Sequence, residues 1–99
     1  MTDKDLSELD IRLRRTRFRA WHRGIKEMDL ILGHFADAQL AGLSTAELET
    51  FEALLEIADT TLYDWVTGRA APAAEHDTPL LARIREFEHL RNPLWNRSE

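Results

Sequence analysis

The sequence contains no cysteine. That excludes disulfides, zinc–thiolate sites, iron–sulfur ligation and thiol catalysis together. Nor is there an excess of basic residues. Thirteen Lys and Arg face eighteen Asp and Glu, for a formal net charge of −5, whereas bulk nucleic-acid binding depends on neutralising phosphate. No apolar run approaches the roughly 20 residues of a membrane span. The four glycines form no glycine-rich loop after a strand, so nucleotide-binding fingerprints are missing. Residues 1–10 hold four acids and one lysine. Secretory signals start basic and then apolar, and mitochondrial presequences are Arg-rich and acid-poor. The expectation is a cytoplasmic protein without direct membrane insertion.

What remains is a chain of 99 residues, 43% hydrophobic and 31% charged, a composition that suits one folded domain with a modest core. The charge is unevenly placed. Residues 11–27 carry Arg12, Arg14, Arg15, Arg17, Arg19, Arg23 and Lys26 against Glu27 alone, and residues 28–79 carry ten acids against Arg69. The band reads either as a solvated helix face paired with the acidic body or as a basic docking surface.

Hydrophobic periodicity is helical throughout. A first helix is expected from near Asp3 to about His22, with Leu6, Leu9, Leu13 and Ala20 on one face and Ile11, Phe18 and Trp21 on a neighbouring one. Arg12, Arg15, Arg19 and Arg23 form a third stripe. Gly24 marks a corner, because glycine costs about 1 kcal/mol inside a helix. A second helix, about Ile25 to Gln39, buries Ile25, Met28, Ile31, Leu32 and Phe35. Ser44 and Glu47 form a capping box, with Leu43 and Leu48 at staple positions, for a third helix running to about Ile57. Asp59 or Thr60 caps a short fourth helix that buries Leu62, Trp65 and Val66 and ends at Gly68. Thr78 caps a fifth, with Pro79 at its first position and Leu80, Leu81, Ile84, Phe87 and Leu90 inward. The fold class is all-α: a compact five-helix bundle in a single domain over residues 1–91, followed by a flexible tail at 92–99.

Sites for independent catalysis are lacking. His22, His34, His76 and His89 lie on separate segments without ligand spacing, so no metal is expected. Ser44 is a helix cap without a nucleophile-elbow context. The stretch from Thr61 to Pro72 looks like the end of a helix-turn-helix recognition helix, but Asp59 and Asp64 oppose phosphate and Arg69 is the sole nearby cation.

The informative stretch is Arg23-Gly-Ile-Lys-Glu27-Met-Asp29. Arg23 offers a planar fork of donors. Gly24 permits a close approach or a positive φ, and Glu27 can face Arg23 one turn on if the backbone stays helical. In this context the chain resembles the succinate dehydrogenase assembly factor family, the small flavinylation factors, whose hallmark is an Arg-Gly-x-x-Glu motif near the first helix junction. The similarity continues through Leu30-Ile31-Leu32, Phe35, Leu43-Ser44, Phe51, Leu54-Leu55-Glu56 and Asp59. It includes Leu62-Tyr63-Asp64-Trp65 with Gly68 and Pro72, and covers roughly residues 16 to 88. The chain departs from the family's pattern at His22, where a second basic residue is common, and at Ala58-Asp59-Thr60-Thr61.

The resemblance implies a five-helix bundle that helps attach FAD covalently to a histidine of the succinate dehydrogenase flavoprotein subunit, or of the related fumarate reductase subunit. It implies a non-enzyme, an assembly factor or chaperone that binds no FAD tightly itself, acts as a monomer and touches no nucleic acid. It places Arg23, Gly24 and Glu27 at the partner interface, with Arg19, Lys26 and Asp29 behind them. On this basis Arg23→Ala is expected to abolish flavinylation and leave the fold intact. Trp21 reads equally as interface anchor or as core. The other classes considered are an acidic helical adaptor for another protein and a helix-turn-helix DNA-binding protein.

Overall fold

A computed structural model describes the backbone of residues 3–91 and the side chains of residues 8–91. Five α-helices make up the described chain: α1 (Asp3–Trp21), α2 (Lys26–Gln39), α3 (Thr45–Leu54), α4 (Asp59–Thr67) and α5 (Pro79–Arg91). One-turn 3-10 segments follow α2 at Leu40–Gly42 and precede α5 at Ala74–His76. The tail at 92–99 and the side chain of Leu6 lie outside the described residues.

The central helix is α2, which packs against α1, α4 and α5. Its sequence is apolar around much of its circumference, so Met28, Ile31, Leu32, Phe35 and Ala36 are all buried. Phe35 joins the layers: its ring stacks near Phe51 of α3 at 5.8 Å and meets Phe87 of α5 edge-on at 5.6 Å. Burial of each such side chain stabilises the fold by about 1.5–3 kcal/mol. Trp65 is buried in the same core.

Local signals set several boundaries. Ser44 and Glu47 form the capping box, with Ser44 N–H donating to Glu47 Oε1 at 2.9 Å and Glu47 N–H donating to Ser44 Oγ at 3.1 Å. Gly68 ends α4 at φ +83°, the left-handed conformation that favours glycine. Thr78 Oγ1 accepts from the N–H of Leu81 at 3.2 Å at the start of α5.

Other expectations are corrected. Helix α3 stops at Leu54 instead of Ile57. The residue preceding α4 is Ala58, without a side-chain cap, and Asp59 turns its carboxylate elsewhere. Among the described side chains of α1, Thr16 and Ala20 are buried, while Leu9, Ile11 and Phe18 are exposed. Leu13 packs partly buried against the core. On α5 Leu90 is exposed and Glu88 is buried, held by two bonds from Arg91 at 2.8 and 2.6 Å.

Candidate functional site

The α1–α2 corner is built around Arg23. The helix breaks after Trp21, and residues 22–25 are not helical. The i,i+4 register that would set Arg23 against Glu27 is therefore lost, and the expected pair does not form. Instead the guanidinium reaches 36 residues along the chain: Nε donates to Asp59 Oδ1 at 2.7 Å. Nη1 donates to the carbonyl of Leu55 and Nη2 to that of Ile57, both at 2.6 Å. These carbonyls lie where α3 ends, at positions that lack intrahelical donors. Arg23 thus caps α3 and ties it to the first residue of α4, using the fork geometry that lysine lacks.

Asp59 has a second role. Its Oδ2 accepts from the N–H of Gly24. A Cβ on Gly24 would lie 2.6 Å from Oδ2. Glycine is required here for close approach and not for a positive φ, which among the described residues occurs only at Gly68. Asp29 completes the corner by accepting from the N–H of Arg23. The Arg23 and Asp59 side chains are 10% and 15% exposed, so little of the clamp is open to a partner.

Lys26 and Glu27 sit in the first turn of α2 with exposed side chains. Among the described residues neither forms an ion pair. An acid there is favoured by the helix dipole. Arg19 pairs with Glu56. The proposed site residues are therefore close in space but divide by role. Arg23, Gly24 and Asp29 are engaged internally, Lys26 and Glu27 face solvent, and Arg19 bridges to the turn that follows α3.

The basic band divides in the same way. Arg12 makes a two-point contact with Glu52 at 2.8 and 2.7 Å, and Thr16 Oγ1 donates to the same carboxylate at 3.2 Å. Arg14 pairs with Asp10 at 3.0 Å and Arg17 with Asp37 at 3.7 Å. Most of the band neutralises the acidic body. Donation from Arg12 holds the Glu52 carboxyl below the usual glutamate range, against the opposing effect of burial; the Arg12 charge and the Thr16 hydroxyl add to it.

Trp21 turns inward. Its indole covers Gly33, where a Cβ would lie 2.2 Å from the ring, and Nε1 donates to Asp37 Oδ1 at 3.2 Å. Phe18, read as its packing neighbour, projects outward and stacks on His22 with ring centres 3.9 Å apart. Beside this pair lies a shallow socket of about 230 Å³ bounded by Arg23, Gly24 and Asp59. A larger open groove of about 650 Å³ separates α4 from α5, lined by Tyr63, Val66, Arg69, Arg85 and His89.

Two contributors escaped the sequence reading. Asp59 was assigned to a helix cap, and only its place among the family-like positions marked it. The Phe18–His22 shelf was hidden because an aromatic at helical spacing reads as core. Helix α4 contains no basic residue and buries Leu62, Trp65 and Val66, an arrangement unsuited to entering a DNA groove. Among the described residues no three His, Asp or Glu side chains are grouped to hold a metal ion, and no helix is long and apolar enough to cross a membrane.

Comparison with known proteins identifies the family. The family model described as "Flavinator of succinate dehydrogenase" matches residues 14–88, which include the whole clamp. The chain is 40% identical over 83 residues to a protein of Acetobacter pasteurianus named FAD assembly factor SdhE, covering 84% of this chain and 76% of that one. It is 31% identical over 65 residues to a Coxiella burnetii protein of the same name, covering 66% and 79%. It is 26% identical over 90 residues to the mitochondrial succinate dehydrogenase assembly factor 2 of Dictyostelium discoideum, covering 91% and 62%. No solved structure matches significantly. With a clamped Arg-Gly-x-x-Glu corner inside a match that spans most of the chain, the protein belongs to the family of succinate dehydrogenase flavinators.

Proposed function

We propose that this protein is an FAD assembly factor that promotes covalent flavinylation of the succinate dehydrogenase flavoprotein subunit. The observation that carries the reading is the family match over residues 14–88, within which the Arg23–Asp59 clamp fixes a rigid corner. The related fumarate reductase subunit has the same chemistry and is a second substrate of the same kind. The nucleophilic histidine belongs to the partner, and this chain contributes no catalytic group and holds no FAD tightly. Its contribution is geometric. By binding the flavoprotein before its assembly is complete, it holds the reacting atoms in place, where small displacements cost large factors in rate.

Glu27 and Lys26 are the charged groups that the corner offers to a partner. Arg23, Gly24 and Asp29 set the backbone from which they project, and Arg19 supports the adjoining turn of α1. The protein acts in the cytoplasm as a monomer. Deletion in the source organism tests the function: the flavoprotein band should lose its in-gel flavin fluorescence while the polypeptide persists, and the wild-type gene should restore it. Unchanged fluorescence would overturn the assignment and leave a helical adaptor for another partner.

A further inference from the structure

We infer that the Phe18–His22 shelf and the socket beside Gly24 seat an uncharged, apolar side chain of the flavoprotein. The inference rests on the assembly-factor reading and adds an anchor to it.

Phe18 is 61% exposed, yet its ring is held in place. It lies nearly parallel to the His22 imidazole, with 17° between planes, and His22 Nδ1 lies 2.7 Å from the Phe18 carbonyl oxygen. A fixed aromatic surface loses little entropy when it is covered, and aromatic anchors of this kind dominate interface energetics. Ile11, 52% exposed, precedes Phe18 by two turns on the same face of α1. The shelf therefore continues an apolar stripe and is not an isolated ring.

The charges around the socket decide what fits it. Arg19 is committed to Glu56, and Arg23 to Asp59 and two carbonyls. A charged side chain entering here would lose water without gaining a free counter-charge. An apolar one loses nothing and covers the Phe18 ring. The socket, about 230 Å³, takes one side chain and not a domain. Trp21 is excluded as the anchor because its ring is stacked on Gly33.

The test titrates wild type, Phe18→Ala, Phe18→Leu and Glu27→Ala into purified flavoprotein subunit lacking covalent FAD. Calorimetry is run below the melting temperature of every variant. Phe18→Ala should weaken binding about tenfold or more with an unchanged melting temperature, and Phe18→Leu should keep most of the affinity. Phe18→Ala binding within about twofold of wild type would overturn the inference; loss in Glu27→Ala alone would leave the assembly reading standing without the shelf. Failure of wild type to bind would overturn both. Sedimentation of the same proteins checks the other occupant. A wild-type dimer that Phe18→Ala dissociates, with flavoprotein affinity unchanged, would assign the shelf to a second copy of this chain and overturn the inference.

Discussion

Arg23 and Asp59 stand 36 residues apart in sequence and 2.7 Å apart in space, and three segments meet at their contact. The corner between α1 and α2, the end of α3 and the start of α4 all take their positions from this pair. Removing one member of a largely buried ion pair strands the other, at a cost of about 3–5 kcal/mol. Arg23→Ala should lower unfolding free energy by an amount in that range, measured by urea denaturation. Arg23→Lys should recover only part, because a point charge cannot serve Asp59 and two carbonyls at once. An unchanged denaturation midpoint in Arg23→Ala would show that the clamp is idle. The largely buried clamp argues against the expectation that Arg23→Ala leaves the fold intact, and the same measurement decides between them.

It follows that loss of flavinylation in Arg23→Ala does not separate docking from folding. Glu27→Ala does. Its side chain is exposed and forms no ion pair among the described residues, so the melting temperature should hold within the small range of surface substitutions. Flavinylation of the partner should fall severalfold, read as covalent flavin per flavoprotein in a reconstituted reaction. Full activity in this variant would remove Glu27 from the interface.

Gly24 and Asp59 should behave as a coupled pair. Gly24→Ala forces its new methyl against Asp59 Oδ2, which cannot retreat without leaving Arg23. In an Asp59→Ala background the obstruction is gone. A double-mutant cycle should therefore be non-additive by about 0.5–3 kcal/mol, with Gly24→Ala far less harmful in the second background. Strict additivity would show that the glycine is needed for another reason.

Stability should fall in acid, and Glu52 should account for part of it. Its folded-state carboxyl is held below its ordinary value of 4.5 by donation from Arg12, with the Arg12 charge and Thr16 adding to it. The contribution is fully present above that value and is lost as pH falls through the lower folded-state value. Glu52→Gln should be less stable near neutrality, and its disadvantage should shrink as the pH is lowered through this window. A pH-independent gap between the two proteins would contradict the linkage.

Local chemistry was readable in the sequence and distant chemistry was not. Ser44 with Glu47, Gly68 at the end of α4, and Thr78 before Pro79 each signal through neighbours within four residues, and each is found in place. On α1 periodicity picks out Ala20 and Leu13, which pack inward, but it passes over the polar Thr16 and counts Leu9, Ile11 and Phe18 for their hydrophobicity although they are exposed. The motif residues were located correctly as a corner, but their connections were not. Pairing Arg23 with Glu27 assumed a continuous helix, and nothing near Asp59 announces a partner 36 residues away.

The clamp also has a topological meaning in a chain without cysteine. By joining position 23 to position 59 it closes a loop holding all of α2 and α3, as a disulfide would in a secreted domain of this size. Unlike a disulfide, it puts no covalent constraint on the unfolded chain and needs no oxidant to form. Its stabilisation resides wholly in the folded state, so the loop opens and recloses with the rest of the bundle.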